Sequence, residues 1–234
     1  MKKQIYLNEY NLLMDNAVYL PGVCGALHAY ADTFLEIKEH YEFKPYIFYR
    51  DKVETILEKY HEPDVAAFSV SMWNIKLSLA VAREIKQKYP KCLIIFGGAE
   101  APFEAEQFFI DYPFIDITVR GEGEQTFAEI LKRNIHSLDF KDIPGISYRC
   151  VDTGKYIKNN ADPERKKDLD IYPCAYAGGY FDHLLRTESI NFQAIIETNR
   201  GCPFNCSFCF WGANGTNTRY KFFGTERIKN TTEW

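Results

Sequence analysis

The sequence predicts an α/β fold built on an open parallel sheet with helices on both faces. Three observations carry that prediction. Short apolar runs alternate with helical periods through the first 135 or so residues. Two of those runs, "DVAAFSV" (64–70) and "KCLIIF" (91–96), are apolar throughout, as strands covered on both sides require. Between them lies "IKLSLAVAREIKQKY" (75–89), with Ile75, Leu79, Ala82, Ile85 and Tyr89 on one stripe and Lys76, Arg83, Lys86 and Gln87 off it, the pattern of a helix laid on a sheet.

The remaining elements follow in order. "KQIYL" (3–7) reads as the first strand and "ALHAYADTFLEIKEH" (26–40) as one long helix. "KPYIFY" (44–49) is the second strand and "VETILEKY" (53–60) a short helix. Pro90 closes the helix at 75–89. "FIDITV" (114–119) is the fifth strand, and "EQTFAEILKRN" (124–134) the helix after it. "GISYR" and "KYIKN" flank the turn signal "DTG" (152–154), so a hairpin follows. Residues 158–190 read as a linker with at most one short helix near 180–186. "AIIET" (194–198) reads as a fresh strand, 219–223 as a short one and 225–234 as a helix.

Composition excludes several classes. Apolar residues make up 46% of the 234, enough for a sizeable core, and the net charge is −4 with no Lys/Arg stripe. No nucleic-acid partner is therefore expected. No signal pattern and no apolar run of about twenty residues occur, so the expectation is a cytoplasmic protein without a membrane partner. In that compartment thiols stay reduced, and clustered cysteines read as metal ligands or catalysts.

Such a cluster exists. "ETNRGCPFNCSFCFWG" (197–212) places Cys202, Cys206 and Cys209 in C-x3-C-x2-C spacing, while Cys24, Cys92, Cys150 and Cys174 stand apart. Thiolates suit iron–sulfur clusters, zinc and Cu(I). A zinc site wants four ligands in paired units, and only Cys206 and Cys209 form a pair, with His183 a remote candidate. Three close thiolates can instead hold three irons of a 4Fe-4S cube and leave the fourth open. Spacing alone leaves both readings standing.

"TNRGCPFNCSFC" resembles the radical S-adenosylmethionine (SAM) signature, with Phe208 at the aromatic position before the last cysteine. The resemblance implies that Cys202, Cys206 and Cys209 bind a 4Fe-4S cluster, that SAM occupies its open iron, and that Phe208 lies near SAM's adenine. It implies reductive cleavage of SAM to a 5′-deoxyadenosyl radical and an electron donor such as flavodoxin or ferredoxin. The substrate, a small molecule or a peptide, is not legible.

The strand ends of the first half add a second resemblance. "YLPGVCGAL" (19–27), "SVSMWN" (69–74), "FGGAEAP" (96–102) and "VRGEGEQTF" (119–127) all follow predicted strands, where open parallel sheets bind ligands. Together they resemble the cobalamin-binding domain that precedes many radical SAM domains. By that resemblance Ser69, Ser71, Gly97 and Gly98 line a cobalamin site. The D-x-H-x-x-G string that supplies a cobalt-ligating histidine in many such domains is absent, and His28 reads as structural. A Rossmann-like domain that has lost its cofactor remains the alternative for this half. Glu122 and Glu124 read as loop residues that offset a helix dipole.

The expected fold is thus a Rossmann-like open parallel sheet of the cobalamin-binding type over 1–145, a hairpin and linker over 146–190, and over 191–234 the first unit of a truncated radical SAM partial (β/α) barrel. The expected function is that of the N-terminal part of a cobalamin-dependent radical SAM enzyme, with radical methyl transfer to an unactivated carbon or a related radical step in view. No catalytic side chain is assigned, and the short chain alone is expected to be inactive. The alternative is a non-catalytic module that binds cobalamin or a partner, with zinc or an incomplete cluster on the cysteines.

Overall fold

A computed structural model describes residues 1–234 other than Arg165, Glu188, Asn205 and 209–219. The sheet is built from β1 (Lys3–Asn11), β3 (Tyr41–Phe43), β4 (Ile47–Tyr49), β5 (Val65–Ser69), β6 (Leu93–Gly97) and β7 (Ile117–Val119). β8 (Ile146–Arg149) and β9 (Tyr156–Lys158) complete it. The order is β3-β1-β5-β6-β7-β8-β9, with β4 also against β1. Every pair from β3 to β7 is parallel, and β7-β8 and β8-β9 are antiparallel. The fold is therefore Rossmann-like, with the hairpin added to the edge of the parallel sheet.

The pleat divides the apolar residues between two cores. Ile5, Leu7, Val65, Ala67, Leu93 and Ile95 face one side, with α1 (Gly22–Ala31), α2 (Leu35–His40) and α6 (Gly123–His136). Tyr6, Tyr10, Ala66, Phe68, Ile94 and Phe96 face the other, with α3 (Val53–Leu57), α4 (Ile75–Lys88) and α5 (Glu106–Asp111). Two covered faces explain why these strands are apolar without alternation.

Three predicted elements are cut or moved. The helix expected over 26–40 begins at Gly22 and breaks between α1 and α2. The Thr33 hydroxyl donates to the Tyr30 carbonyl at 2.7 Å and Phe34 is extended, so the side chain takes over from the helical ladder. The strand expected over 44–49 is shortened to β4 at 47–49, and a separate strand, β3, precedes it at 41–43; Pro45 between them has no N–H to donate. The strand expected over 194–198 is not formed. The preceding residues form β10 (Asn191–Gln193), which pairs in parallel with β2 (Ala17–Tyr19). Beyond Gln193 no strand lies alongside among the described residues, and Ile195 and Ile196 stay exposed. The six-residue α5 is an addition.

Residues 158–190 contain the expected short helix as α7 (Asp182–Leu185), but they also fill the core. Leu169, Tyr172, Ala175, Tyr176, Phe181 and Leu184 are buried. Phe181 comes so near Gly25 that a Cβ there would stand 2.2 Å from its ring. The last described elements are β11 (Asn199–Arg200), antiparallel to β12 (Lys221–Phe222), and α8 (Thr225–Thr232). Among the described residues no helix is long and apolar enough to cross a membrane.

Candidate functional site

The chain leaves β1 toward β3 and β4 on one side, then crosses to β5 on the other. Between β1 and β5 the strand order reverses, and the carboxyl edge beside such a switch point is where open sheets hold ligands. Ser69, at the end of β5, sits in register with Gly97 at the end of β6, and Gly97 with Val119 at the end of β7. Two of the four residues expected to line a site, Ser69 and Gly97, therefore share one lip, and Ser71 and Gly98 follow them just past the strand ends.

The lip is stiff. Asn74 accepts from the Ser71 amide at 2.8 Å and donates to the Ser69 carbonyl at 3.0 Å. The Val70 amide donates to the Gly97 carbonyl at 2.7 Å. The Ser69 and Ser71 hydroxyls make no hydrogen bond among the described residues, and both side chains are partly exposed. Met72 (79% exposed) and Trp73 (49%) stand beside them.

The two glycines have different reasons to be glycine. Gly98 has φ +108°, and a Cβ there would lie 2.6 Å from the Val70 carbonyl oxygen. The turn itself demands it. A Cβ on Gly97 would meet nothing nearer than Val119 Cβ at 3.6 Å. The fold tolerates a side chain at 97, so an approaching ligand remains a reason for its absence.

Sequence reading missed Glu9. It sits near the carboxyl end of β1 and accepts from the Val23 and Cys24 amides at 2.9 and 3.1 Å at the start of α1. Burial pushes its carboxyl up to about 7, against the pull of those amides and Asn11. The strand expected over 3–7 stops short of Glu9, whereas β1 runs on to Asn11. His28 is structural, as expected. It stacks on Phe43 at 3.8 Å and bonds Tyr46 Oη at 2.8 Å, and burial draws its pKa down to about 4.

The cysteine loop leaves β11. Cys202 is partly buried and Cys206 exposed, both as free thiols, and Phe208 is 91% exposed. Cys209 lies outside the described residues, so the trio as a whole is not described.

What anchors this loop was also missed. Arg200, two residues before Cys202, reaches back to the loop after β7. It pairs with Glu124 at 2.5 Å, Glu122 at 3.2 Å and Glu197 at 3.0 Å. Its guanidinium lies over the Tyr172 and Phe223 rings at 4.8 and 5.7 Å. Burial pulls its pKa down, but Glu124, Glu197 and Glu122 outweigh that and the net shift is upward. Glu122 and Glu124 do stand at the start of α6, as read from the sequence, but there they also grip a cation from the cysteine motif.

Comparison with known proteins agrees with this geometry. Residues 30–131 match the B12-binding domain family. The chain is 34% identical over 232 residues to the cobalamin-dependent radical SAM methyltransferase TokK of Streptomyces tokunonensis, a match covering 97% of this chain and 32% of that protein. The chain matches the B12-binding part of cobalamin-dependent radical SAM proteins. It is also 34% identical over 224 residues to a 2-(S-pantetheinyl)-carbapenam-3-carboxylate methyltransferase of Streptantibioticus cattleyicolor, with 94% of this chain and 32% of that protein matched. It thus spans about a third of the length of these curated relatives. The cobalamin-dependent radical SAM enzyme OxsB, solved with aqua-cobalamin and SAM, superposes with TM-score 0.75 at 20% identity, covering 99% of this chain and 31% of that one. That likeness speaks for the shared fold. The B12-binding domain here offers hydroxyls without partners, a glycine the fold does not need and exposed apolar side chains, a set that fits a large planar cofactor.

Proposed function

We propose that this chain is the cobalamin-binding and cluster-loop portion of a radical SAM enzyme, one that transfers a methyl group to an unactivated carbon or performs a related radical step. The observation that carries the reading is the meeting of two features at one sheet edge. The Ser69–Gly97 lip closes β5 and β6, and the foot of the cysteine loop is fastened to the loop that leaves β7, the next strand. When bound, cobalamin would carry the methyl group and a 4Fe-4S cluster would supply the electron that cleaves SAM. In this division of labour residues 1–145 hold the cobalamin and 191–234 begin the SAM-binding part.

The residues have separate tasks. Ser69 and Ser71 offer hydroxyls to the cofactor's polar rim. Gly97 admits it close to the backbone and Gly98 holds the turn that presents Gly97. Cys202, Cys206 and Cys209 supply thiolates, and Phe208 offers a ring to the adenine of SAM. Substrate and electron donor are met by the rest of the enzyme.

The test is iron and sulfide content after anaerobic reconstitution, with EPR of the reduced protein, for wild type beside Cys206→Ala. About four irons per chain and a signal lost in the variant are expected. Cobalamin titration followed by absorbance should saturate in wild type and weaken in Gly97→Ala. Uptake of zinc in place of iron would overturn the cluster assignment and leave a binding module.

A further inference from the structure

The proposed function needs cobalamin and the cluster to stand in a fixed relation, yet strand pairing supplies little of it. Among the described residues β10 pairs with β2 in the first half of the chain, but at the foot of the cysteine loop itself the strand contact is the two-residue pairing of β11 with β12. β12 belongs to the same segment, so that ladder fastens the segment to itself and not to the sheet domain. Side chains make the connection. Arg200 crosses to Glu122 and Glu124. Tyr172, from the stretch between the hairpin and the cysteine segment, lies under the guanidinium, and its hydroxyl contacts Glu122 at 3.4 Å and accepts from Gln125 at 2.6 Å. Leu169, Tyr172 and Phe223 form a small core of their own, with Tyr30 of α1 against it.

We propose that Arg200 is a positioning residue, gripped by Glu122 and Glu124 at the start of α6, that seats the cysteine loop against the carboxyl edge of the cobalamin-binding sheet. The proposal rests on the reading of that loop as the cluster loop. Its physical basis is the geometry of the fork. A planar guanidinium with five donors can serve three carboxylates at once and stack between two rings. Lysine could keep the charge but would lose the stacking and the multiple contacts. Glu124 is largely buried, so removing Arg200 strands a carboxylate without its counter-charge. The foot of the loop then loses its charged anchor to α6. Gln at position 124 would keep the shape and remove the charge.

The seat has a readout that needs no cofactor. In the apo chain, hydrogen exchange of amides 199–201 should rise roughly tenfold or more in Arg200→Gln and Glu124→Gln, while amides of β5 and β6 keep their protection. Arg200→Lys should recover part of it. After reconstitution, the same variants should lose about half or more of their iron, and the EPR signal of what remains should change shape. Their cobalamin titrations should match wild type, because the lip at Ser69 and Gly97 is untouched. Unchanged exchange at 199–201 would overturn the proposal. So would a loss shared equally by β5, β6 and cobalamin binding, which would mark Arg200 as a general stabiliser. A wild-type chain that takes up no iron would sink the cluster reading instead, and the exchange data would still judge the seat.

Discussion

The sheet domain and the cysteine-bearing segment are held together by different physics. In the first, β1, β5, β6 and β7 bury both faces, and the tilted rings of Phe96 and Phe68 meet in one core while Leu7 and Ile95 fill the other. Order there is spread over dozens of contacts, none of them decisive. In the second, one guanidinium with three carboxylates, a core of three buried side chains and the short β2–β10 pair do most of the fastening. Concentrated anchoring of that kind lets a loop be fixed without being buried, which suits thiols that have to remain reachable.

That contrast can be broken from the sheet side first. Phe96→Ala removes a fully buried ring and should cost about 3–5 kcal/mol in urea unfolding, enough to threaten the fold. Gly98→Ala forces a side chain to φ +108° against the Val70 carbonyl and should cost about 2–3 kcal/mol, with or without cobalamin. A loss under about 0.5 kcal/mol would show that the turn relaxes.

Glu9 sharpens the comparison through pH. Its carboxyl titrates near 7 in the fold against 4.5 unfolded. The unfolded chain gives up that proton first as pH rises. Stability from Glu9 is therefore full below about 4.5 and lost as pH climbs through 7. Glu9→Gln is neutral throughout and should be the more stable form at pH 8 by up to about 2 kcal/mol, with no difference at pH 4. Denaturant titrations at the two pH values decide it. An equal difference at both would mean that the carboxylate's ionisation plays no part.

The smallest effects belong to the exposed and tolerant positions. Gly97→Ala and Cys206→Ala should each move apo stability by less than about 0.5 kcal/mol, since one meets only Val119 and the other is exposed. Their consequences should appear in cobalamin affinity and in iron content, respectively. A large change in melting temperature for either would mean that the site and the scaffold are not separable there.

Much of the sheet was legible because its cause is local. "KCLIIF" and "DVAAFSV" are apolar at every position, and only a doubly covered strand needs that. The lip was legible because strand ends are where such sheets bind. The stretch 158–190 was not. Leu169, Tyr172, Phe181 and Leu184 reach the core at irregular intervals among Gly and Pro, and no period marks them. "AIIET" had the composition of a strand but, among the described residues, no strand beside it to pair with. Arg200 was hidden for a further reason. Its partners lie at 122 and 124, far back in the chain, and the pairing exists only once the fold has brought them together.

The pairing of β2 with β10 carries a consequence for how the molecule is made. It joins Ala17 to Asn191, whereas each parallel pair of the main sheet closes far sooner. On a ribosome adding about 5–20 residues per second, the sheet from β1 to β9 is complete seconds before residue 191 emerges. Residues 17–19 wait exposed through that interval, and the cysteines appear after the sheet has formed. The order of synthesis thus delivers the thiols to a sheet already in place, with Phe223 and β12 following to close their seat.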